Sequence, residues 1–179
     1  MKLTLTSLVP ADRARVFAAL VDPDILGRCI PGCESLTATG PGAYRATLKI
    51  GVAGLKGTYS GTAAISDQQP PASLTLGFDG KGGPGFVRGS AAIALSADGD
   101  ATRIACEVDV QVGGPIAAVG SRLIEAAAKK LADDFFRQLS TTLESSASSG
   151  EAVPDGPPPR RRRLVLRWLG RWWRRWRRS

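Results

Sequence analysis

The sequence predicts an α+β fold in which a curved antiparallel sheet wraps around a long C-terminal helix, with two short helices after the first strand. Apolar and polar residues alternate with a period of two through most of residues 42–112, which is typical of antiparallel strands with one buried face. A longer amphipathic run with helical spacing follows. Residues 1–144 are enough for one domain with a substantial core.

The elements follow in chain order. Residues 2–9 alternate and predict the first strand, and residues 10–21 place their apolar side chains on one side of a helix. Residues 22–29 begin with Asp-Pro, where proline suits the first turn of a second short helix. The strands that come next run over residues 44–52, 55–65, 74–78, 87–95 and 104–112. Gly114-Pro115 then opens the long helix, which is expected to end near Glu144.

Many positions expected on the inner face are small. They are Ala46, Gly57, Gly61, Ala63, Gly89, Ala91 and Cys106 on the strands and Gly120, Ala127 and Ala128 on the helix. Small residues facing each other either let the layers pack closely or leave a hollow, and a strongly curved sheet favours an apolar cavity.

Strand parity and the helix face then predict which residues line the cavity. They are Tyr44, Leu48, Tyr59, Leu76, Phe78, Phe86, Val108, Val112, Leu123, Ala127, Leu131 and Phe135. The hydroxyls of Tyr44 and Tyr59 are placed either to orient a ligand carbonyl or to cap the core.

The sequence offers little catalytic chemistry. It contains no histidine, which is the commonest general base and metal ligand. Cys29 and Cys33 are a lone CxxxC pair, a weak metal signal, and an odd total of three cysteines favours reduced thiols. The glycine-rich run at 80–85 fits a hairpin better than a phosphate-binding loop. We therefore expect no catalytic residue and no metal site.

The C-terminal segment 160–179 differs sharply from the rest of the chain. It holds ten of the 24 basic residues, no acidic residue and all four tryptophans, so the net charge of +8 comes from this tail. On a helix its apolar and basic residues separate into two faces, but arginines at 167 and 171 would make a bilayer-spanning position costly. We expect a helix that lies on an anionic membrane surface. The expected membrane-binding residues are Arg160, Arg161, Arg162, Arg163, Leu164, Arg167, Trp168, Arg171, Trp172, Trp173, Arg174 and Trp176.

Other uses of this tail stay open at this point. An acidic protein partner, a nucleic acid or no role at all are the alternatives, and the continuous apolar face argues for a membrane over a nucleic acid. Residues 145–159, rich in serine, glycine and proline, predict a flexible linker. Residues 1–10 lack the apolar core of a targeting signal, so we expect a cytoplasmic protein held peripherally at the inner membrane.

Four stretches of the chain carry a family resemblance. They are DPDILGRCIPGCESL (22–36), VAGLKGTYSGTAAISDQQPP (52–71), GKGGPGFVRGSA (80–91) and VGGPIAAVGSRLIEAAAKKLADDFF (112–136). Through them, residues 1–140 closely resemble the G-subunit family of carbon monoxide dehydrogenase. That family belongs to the START/Bet v 1-like (SRPBCC) superfamily, which has the helix-grip fold.

The resemblance implies a non-catalytic accessory protein of a molybdenum hydroxylase of the carbon monoxide dehydrogenase type. It implies recruitment of that enzyme to the cytoplasmic face of the membrane. It also implies an isoprenoid quinone, menaquinone or ubiquinone, or a similar lipid, as a non-covalent ligand of the apolar cavity. From the apolar face of the tail, we expect no nucleic acid partner. A pure membrane tether without a ligand is the alternative. An enzyme such as a cyclase or hydrolase is disfavoured by the absence of histidine.

Overall fold

The computed structural model describes residues 1–52 and 56–148. Seven antiparallel strands form one sheet in the order β1-β7-β6-β5-β4-β3-β2. The strands are β1 (Lys2–Val9), β2 (Cys33–Gly40), β3 (Ala43–Ile50), β4 (Gly57–Gln69), β5 (Ser73–Gly82), β6 (Gly85–Asp98) and β7 (Ala101–Gly113). The helices are α1 (Arg13–Val21), α2 (Pro23–Cys29) and α3 (Ser121–Ser148), with a 3₁₀ helix (Pro115–Val119) before α3. This order of elements confirms the predicted helix-grip architecture.

The two short helices begin where an aspartate caps them. The Asp12 carboxylate accepts a hydrogen bond from the Arg15 amide at 3.0 Å, and α1 therefore starts at Arg13, later than the expected residue 10. The Asp22 carboxylate accepts from the amides of Asp24 at 2.8 Å and Ile25 at 3.2 Å. The predicted Asp-Pro start of the second helix is confirmed.

Strand β2 was not predicted from the sequence. It is the edge strand of the sheet beside β3, and most of its residues are exposed. A register shift between Ala38 and Gly40 also interrupts its pairing. An exposed, irregular edge strand carries little apolar alternation, so its period-two signal is weak.

The sequence predicts one continuous C-terminal helix from Gly114, but in the structure this helix is interrupted. Gly120, with a φ of 91°, separates the 3₁₀ helix from α3, a backbone conformation that glycine adopts without strain. The Ile116 amide donates a hydrogen bond to the Pro84 carbonyl at 2.7 Å, which ties the 3₁₀ helix to the β5–β6 turn. At its other end α3 continues to Ser148, past the expected end at Glu144.

The remaining predicted segments lie outside the described residues. These are the part of the expected linker from residue 149 to 159 and the whole tail at 160–179, with all twelve expected membrane-binding residues. Residues 53–55, at the start of one expected strand, also fall outside, and β4 begins at Gly57.

The main hydrophobic core lies between α1, the C-terminal half of α3 and strands β1, β6 and β7. Its most deeply buried side chains are Val9, Val16, Ile104 and Leu139, each with no exposed surface. Polar contacts close the same end: the Thr102 hydroxyl donates to the Ala11 carbonyl at 2.7 Å. The Arg15 guanidinium donates to the Leu143 carbonyl at 2.9 Å. This end of the sheet is therefore solidly packed.

Candidate ligand cavity

Two cavities lie between the concave face of the sheet and α3. The first has a volume of about 430 Å³ and the second about 330 Å³. They are neighbours, because eight residues line both: Ile30, Leu36, Leu48, Ile50, Ala63, Phe78, Val108 and Leu131. Volumes of this size suit small-molecule ligands.

The walls of both cavities are almost wholly apolar. Of the described residues that line the first, only Tyr44 and Cys106 bring a polar atom on a side chain. The second is bordered by Ser60, Thr62 and Asp79, but these alternate with inward residues along β4 and β5, and the side chains of Ser60 and Asp79 bond on the outer face. The Ser60 hydroxyl contacts that of Thr47 at 3.3 Å, and Asp79 pairs with Arg88 at 3.5 Å. An apolar molecule is therefore the ligand that these walls favour.

Small side chains account for the hollow. Ala46 and Gly61 line the second cavity, Ala91 lines the first, and Ala63 lines both. A Cβ atom at Gly61 would collide with the backbone carbonyl of Asp79 on the neighbouring strand, so glycine is required where β4 and β5 come this close. The hollow expected from the small residues is present in the structure.

Most of the residues expected to line a cavity do so. Seven of them line the first cavity: Tyr44, Leu48, Leu76, Phe78, Val108, Leu131 and Phe135. Tyr59 and Val112 line the second. Whether any of them binds a ligand stays a prediction.

Three of the expected residues do not line either cavity. Phe86 lies on the outer face of β6, where its ring sits under the Arg88 guanidinium with 5.2 Å between the ring centroid and Cζ. Leu123 is 51% exposed, because the face of α3 that meets the sheet runs through Ile124 instead. Ala127 is buried, but it packs against Tyr59 and does not line either cavity.

One wall of the first cavity was not predicted from the sequence. Leu26 and Ile30, in α2 and at its end, line the first cavity together with Pro31 and with Leu36 of β2. The helix was predicted, but nothing in its own pattern shows that it closes the space between β2 and α3. The apolar residues of the run ILGRCIPG are the signal in the sequence that points to this wall.

The two tyrosines differ in their hydrogen bonding. The Tyr44 hydroxyl donates to the Val21 carbonyl at 3.0 Å, so it caps the core. The Tyr59 hydroxyl is buried and has no hydrogen-bond partner, and it is the one buried side-chain polar atom left unpaired in the part of the chain that the structure describes. Burial raises the pKa of Tyr59 above its usual range. The phenol therefore stays neutral and able to donate.

Among the described residues, the titratable groups give no sign of a reaction centre. Burial raises the pKa of the Cys106 thiol to about 11, so this cavity-lining cysteine is protonated and a poor nucleophile at neutral pH. Cys29 is buried and Cys33 partly exposed, and both are free thiols. Within residues 1–52 and 56–148 no group of His, Cys, Asp and Glu is arranged to hold a metal ion.

Comparison with solved structures places the fold in the START-like class. A START superfamily protein from Mycobacterium smegmatis matches with a TM-score of 0.63 and 15% identity, covering 81% of this chain and 98% of that one. An aromatase/cyclase from Streptomyces sp. R1128 matches with a TM-score of 0.62 and 17% identity, covering 86% and 99%. At such low identity these likenesses establish the fold alone.

The sequence itself identifies the family. The model of the CoxG family, the G-subunit of carbon monoxide dehydrogenase, matches residues 6–144, and the chain belongs to this family. A conserved protein from Geobacillus kaustophilus is 35% identical, with a TM-score of 0.79, covering 82% of this chain and 97% of that one. No curated protein matches the sequence significantly. Among the described residues, no helix combines the length and apolar character needed to cross a bilayer.

Proposed function

We propose that this protein is a non-catalytic accessory subunit that holds a molybdenum hydroxylase of the carbon monoxide dehydrogenase type at the cytoplasmic membrane. It binds an isoprenoid quinone, or a lipid like it, in the apolar space under α3, and so couples the enzyme to the respiratory chain. The observation that carries the ligand is the pair of adjoining cavities, whose inward side chains are nearly all apolar. Membership of the CoxG family supports the enzyme partner.

The composition of the tail supports the membrane half of the proposal. Ten arginines and four tryptophans in residues 160–179 combine attraction to anionic headgroups with side chains that favour the membrane interface. Two chemically distinct parts of one chain would thus serve one purpose, with the tail locating the protein and the body carrying the quinone.

Flotation with vesicles tests the membrane half. The full chain should float with vesicles rich in phosphatidylglycerol and stay behind with vesicles of phosphatidylcholine alone, because the arginines need anionic lipid. A chain truncated after Pro159 should not float with either. Equal flotation of the full and truncated chains would show that the tail is not needed for membrane binding.

Electron transfer separates a quinone carrier from a pure tether, the second candidate. The partner dehydrogenase is mixed with menaquinone-loaded anionic vesicles and either the full chain or the truncated chain, and quinone reduction is followed. A carrier raises the rate of quinone reduction by the bound enzyme. A tether brings the enzyme to the vesicles without changing the rate per bound enzyme, and that result would contradict the proposed coupling.

A further inference from the structure

One buried polar atom in the cavity region is not explained by the packing of the protein. Tyr59 is 6% exposed, lines the second cavity, and leaves its hydroxyl without a partner. A buried donor without a partner costs more than an apolar side chain of the same shape would. A phenylalanine at this position would keep the ring contacts with Ile116 and Ala127 and avoid that cost.

The position of Tyr59 sets it apart from the polar groups of the first cavity. There, the Tyr44 hydroxyl already donates to the Val21 carbonyl, and Cys106 offers only a weak thiol donor. In the second cavity, Tyr59 brings a free, neutral donor into otherwise apolar surroundings. Among the described residues that line the two cavities, Tyr59 is therefore the one that carries a buried hydroxyl without a partner in the protein.

We infer that the Tyr59 hydroxyl donates a hydrogen bond to a carbonyl oxygen of the ligand, and that the ligand lies with its carbonyl-bearing ring in the second cavity and its hydrocarbon chain in the first. This inference rests on the proposed ligand-binding function and adds an orientation and a specificity residue to it. An apolar ligand with an acceptor oxygen would be preferred over one that is purely hydrocarbon. A hydrogen bond to the ligand would also satisfy the buried donor.

Two small probes with the same carbon skeleton, one with two carbonyl oxygens and one with none, test the hydrogen bond. Menadione and 2-methylnaphthalene share one ring skeleton, and calorimetric titration of the full chain measures the affinity for each. Tyr59→Phe should weaken menadione binding by about three- to tenfold and leave 2-methylnaphthalene unchanged, since one net hydrogen bond is lost. Tyr59→Phe should also leave the ligand-free chain at least as stable as the wild type.

Tyr44→Phe is the matched control, because it removes the same hydroxyl group from a tyrosine that already has a partner. It should lower stability and leave the ratio of the two affinities unchanged. If Tyr59→Phe weakens both probes equally, or neither, the inference is wrong while the proposed function stands. If the wild type binds neither probe nor a longer quinone, the proposed ligand function itself fails.

Cavity-filling variants test the orientation. Ala46 lines only the second cavity and Ala91 only the first. Ala46→Leu should weaken both menadione and the longer decylubiquinone, whereas Ala91→Leu should weaken decylubiquinone and spare menadione. The opposite pattern would reverse the orientation and overturn the inference. Circular dichroism establishes that each variant is folded, and Ala46→Val and Ala91→Val add less bulk should the leucines disrupt the sheet.

Discussion

The two halves of α3 meet the sheet in opposite ways. In the C-terminal half, Leu139 and Leu143 are buried in the main core together with Val16 and other large side chains of α1, and neither leucine lines the two cavities. In the N-terminal half, Ala128 and Leu131 border open space. The same helix thus provides packing at one end and leaves room at the other. The C-terminal half of α3 therefore contributes mainly to stability, and the N-terminal half leaves the space in which a ligand could bind.

The largest expected effect is on the free energy of unfolding. It is seen when the same substitution, leucine to alanine, is made in each half of α3. Leu139→Ala removes a side chain with no exposed surface and should lower the free energy of unfolding by about 3 to 5 kcal/mol. Leu131→Ala, beside both cavities, should cost clearly less because fewer contacts are lost. Urea unfolding of both variants measures the difference. Equal losses would mean that the two halves are packed alike.

Cys106 lines the first cavity and also belongs to the packed core, so it lies where the two regions meet. The pH dependence of stability tests how deeply its thiol is buried. The pKa of its thiol is raised by burial from 9.0 to about 11, so folding favours the neutral form. This contribution to stability is full below pH 9 and is lost as the pH rises to 11. The loss should be about 2 to 3 kcal/mol.

Urea unfolding of the wild type and of Cys106→Ala across this alkaline range isolates the thiol. The variant lacks the titrating group, so its stability should fall less steeply between pH 9 and pH 11. Parallel curves for the two proteins would show that the Cys106 thiol is not desolvated in the folded state.

Filling the hollow half should abolish ligand uptake without unfolding the protein. Ala63→Leu adds bulk to both cavities and should weaken quinone binding by about tenfold or more. Ala64→Leu makes the same change at the next, exposed residue of β4 and should leave binding unchanged. Titration with decylubiquinone compares the two. Similar affinities for both variants would place the ligand elsewhere.

The smallest expected effect concerns α2, whose residues close the first cavity. Asp22→Ala removes the carboxylate that caps this helix and should cost about 1 kcal/mol. Asp24→Ala removes the same charge from the first turn without removing the cap, so it should cost less. Thermal unfolding measures both. A larger loss for Asp24→Ala would show that charge, and not capping, fixes α2.

The sequence predicted the elements whose patterns are strong. Alternation in residues such as Ile104 to Val112 reveals long strands with one buried face, and the Asp22-Pro23 pair marks the start of α2. The alternation of apolar and polar residues did not reveal β2, because an exposed edge strand has few apolar residues. Gly120 was included in a continuous helix, since a sequence does not show which glycine will take a positive φ.

The sequence predicted that the cavity walls would be apolar, but it did not predict every residue that lines them. Inward strand residues such as Leu48 and Val108 followed from parity, and these do line the hollow. Leu123 was misplaced because the predicted stripe stepped back four residues from Ala127, whereas the buried face of α3 passes through Ile124, three residues before Ala127. The wall from Leu26 to Leu36 depends on contacts between elements distant in sequence, which periodicity does not record.

Native mass spectrometry of the full chain mixed with short-chain menaquinone tests the central claim most directly. One quinone per chain is expected in the wild type and in Ala64→Leu, and much less in Ala63→Leu, because the ligand is proposed to lie in the space between the sheet and α3. A wild type that takes up no quinone, or an Ala63→Leu variant that takes up as much as the wild type, would contradict it.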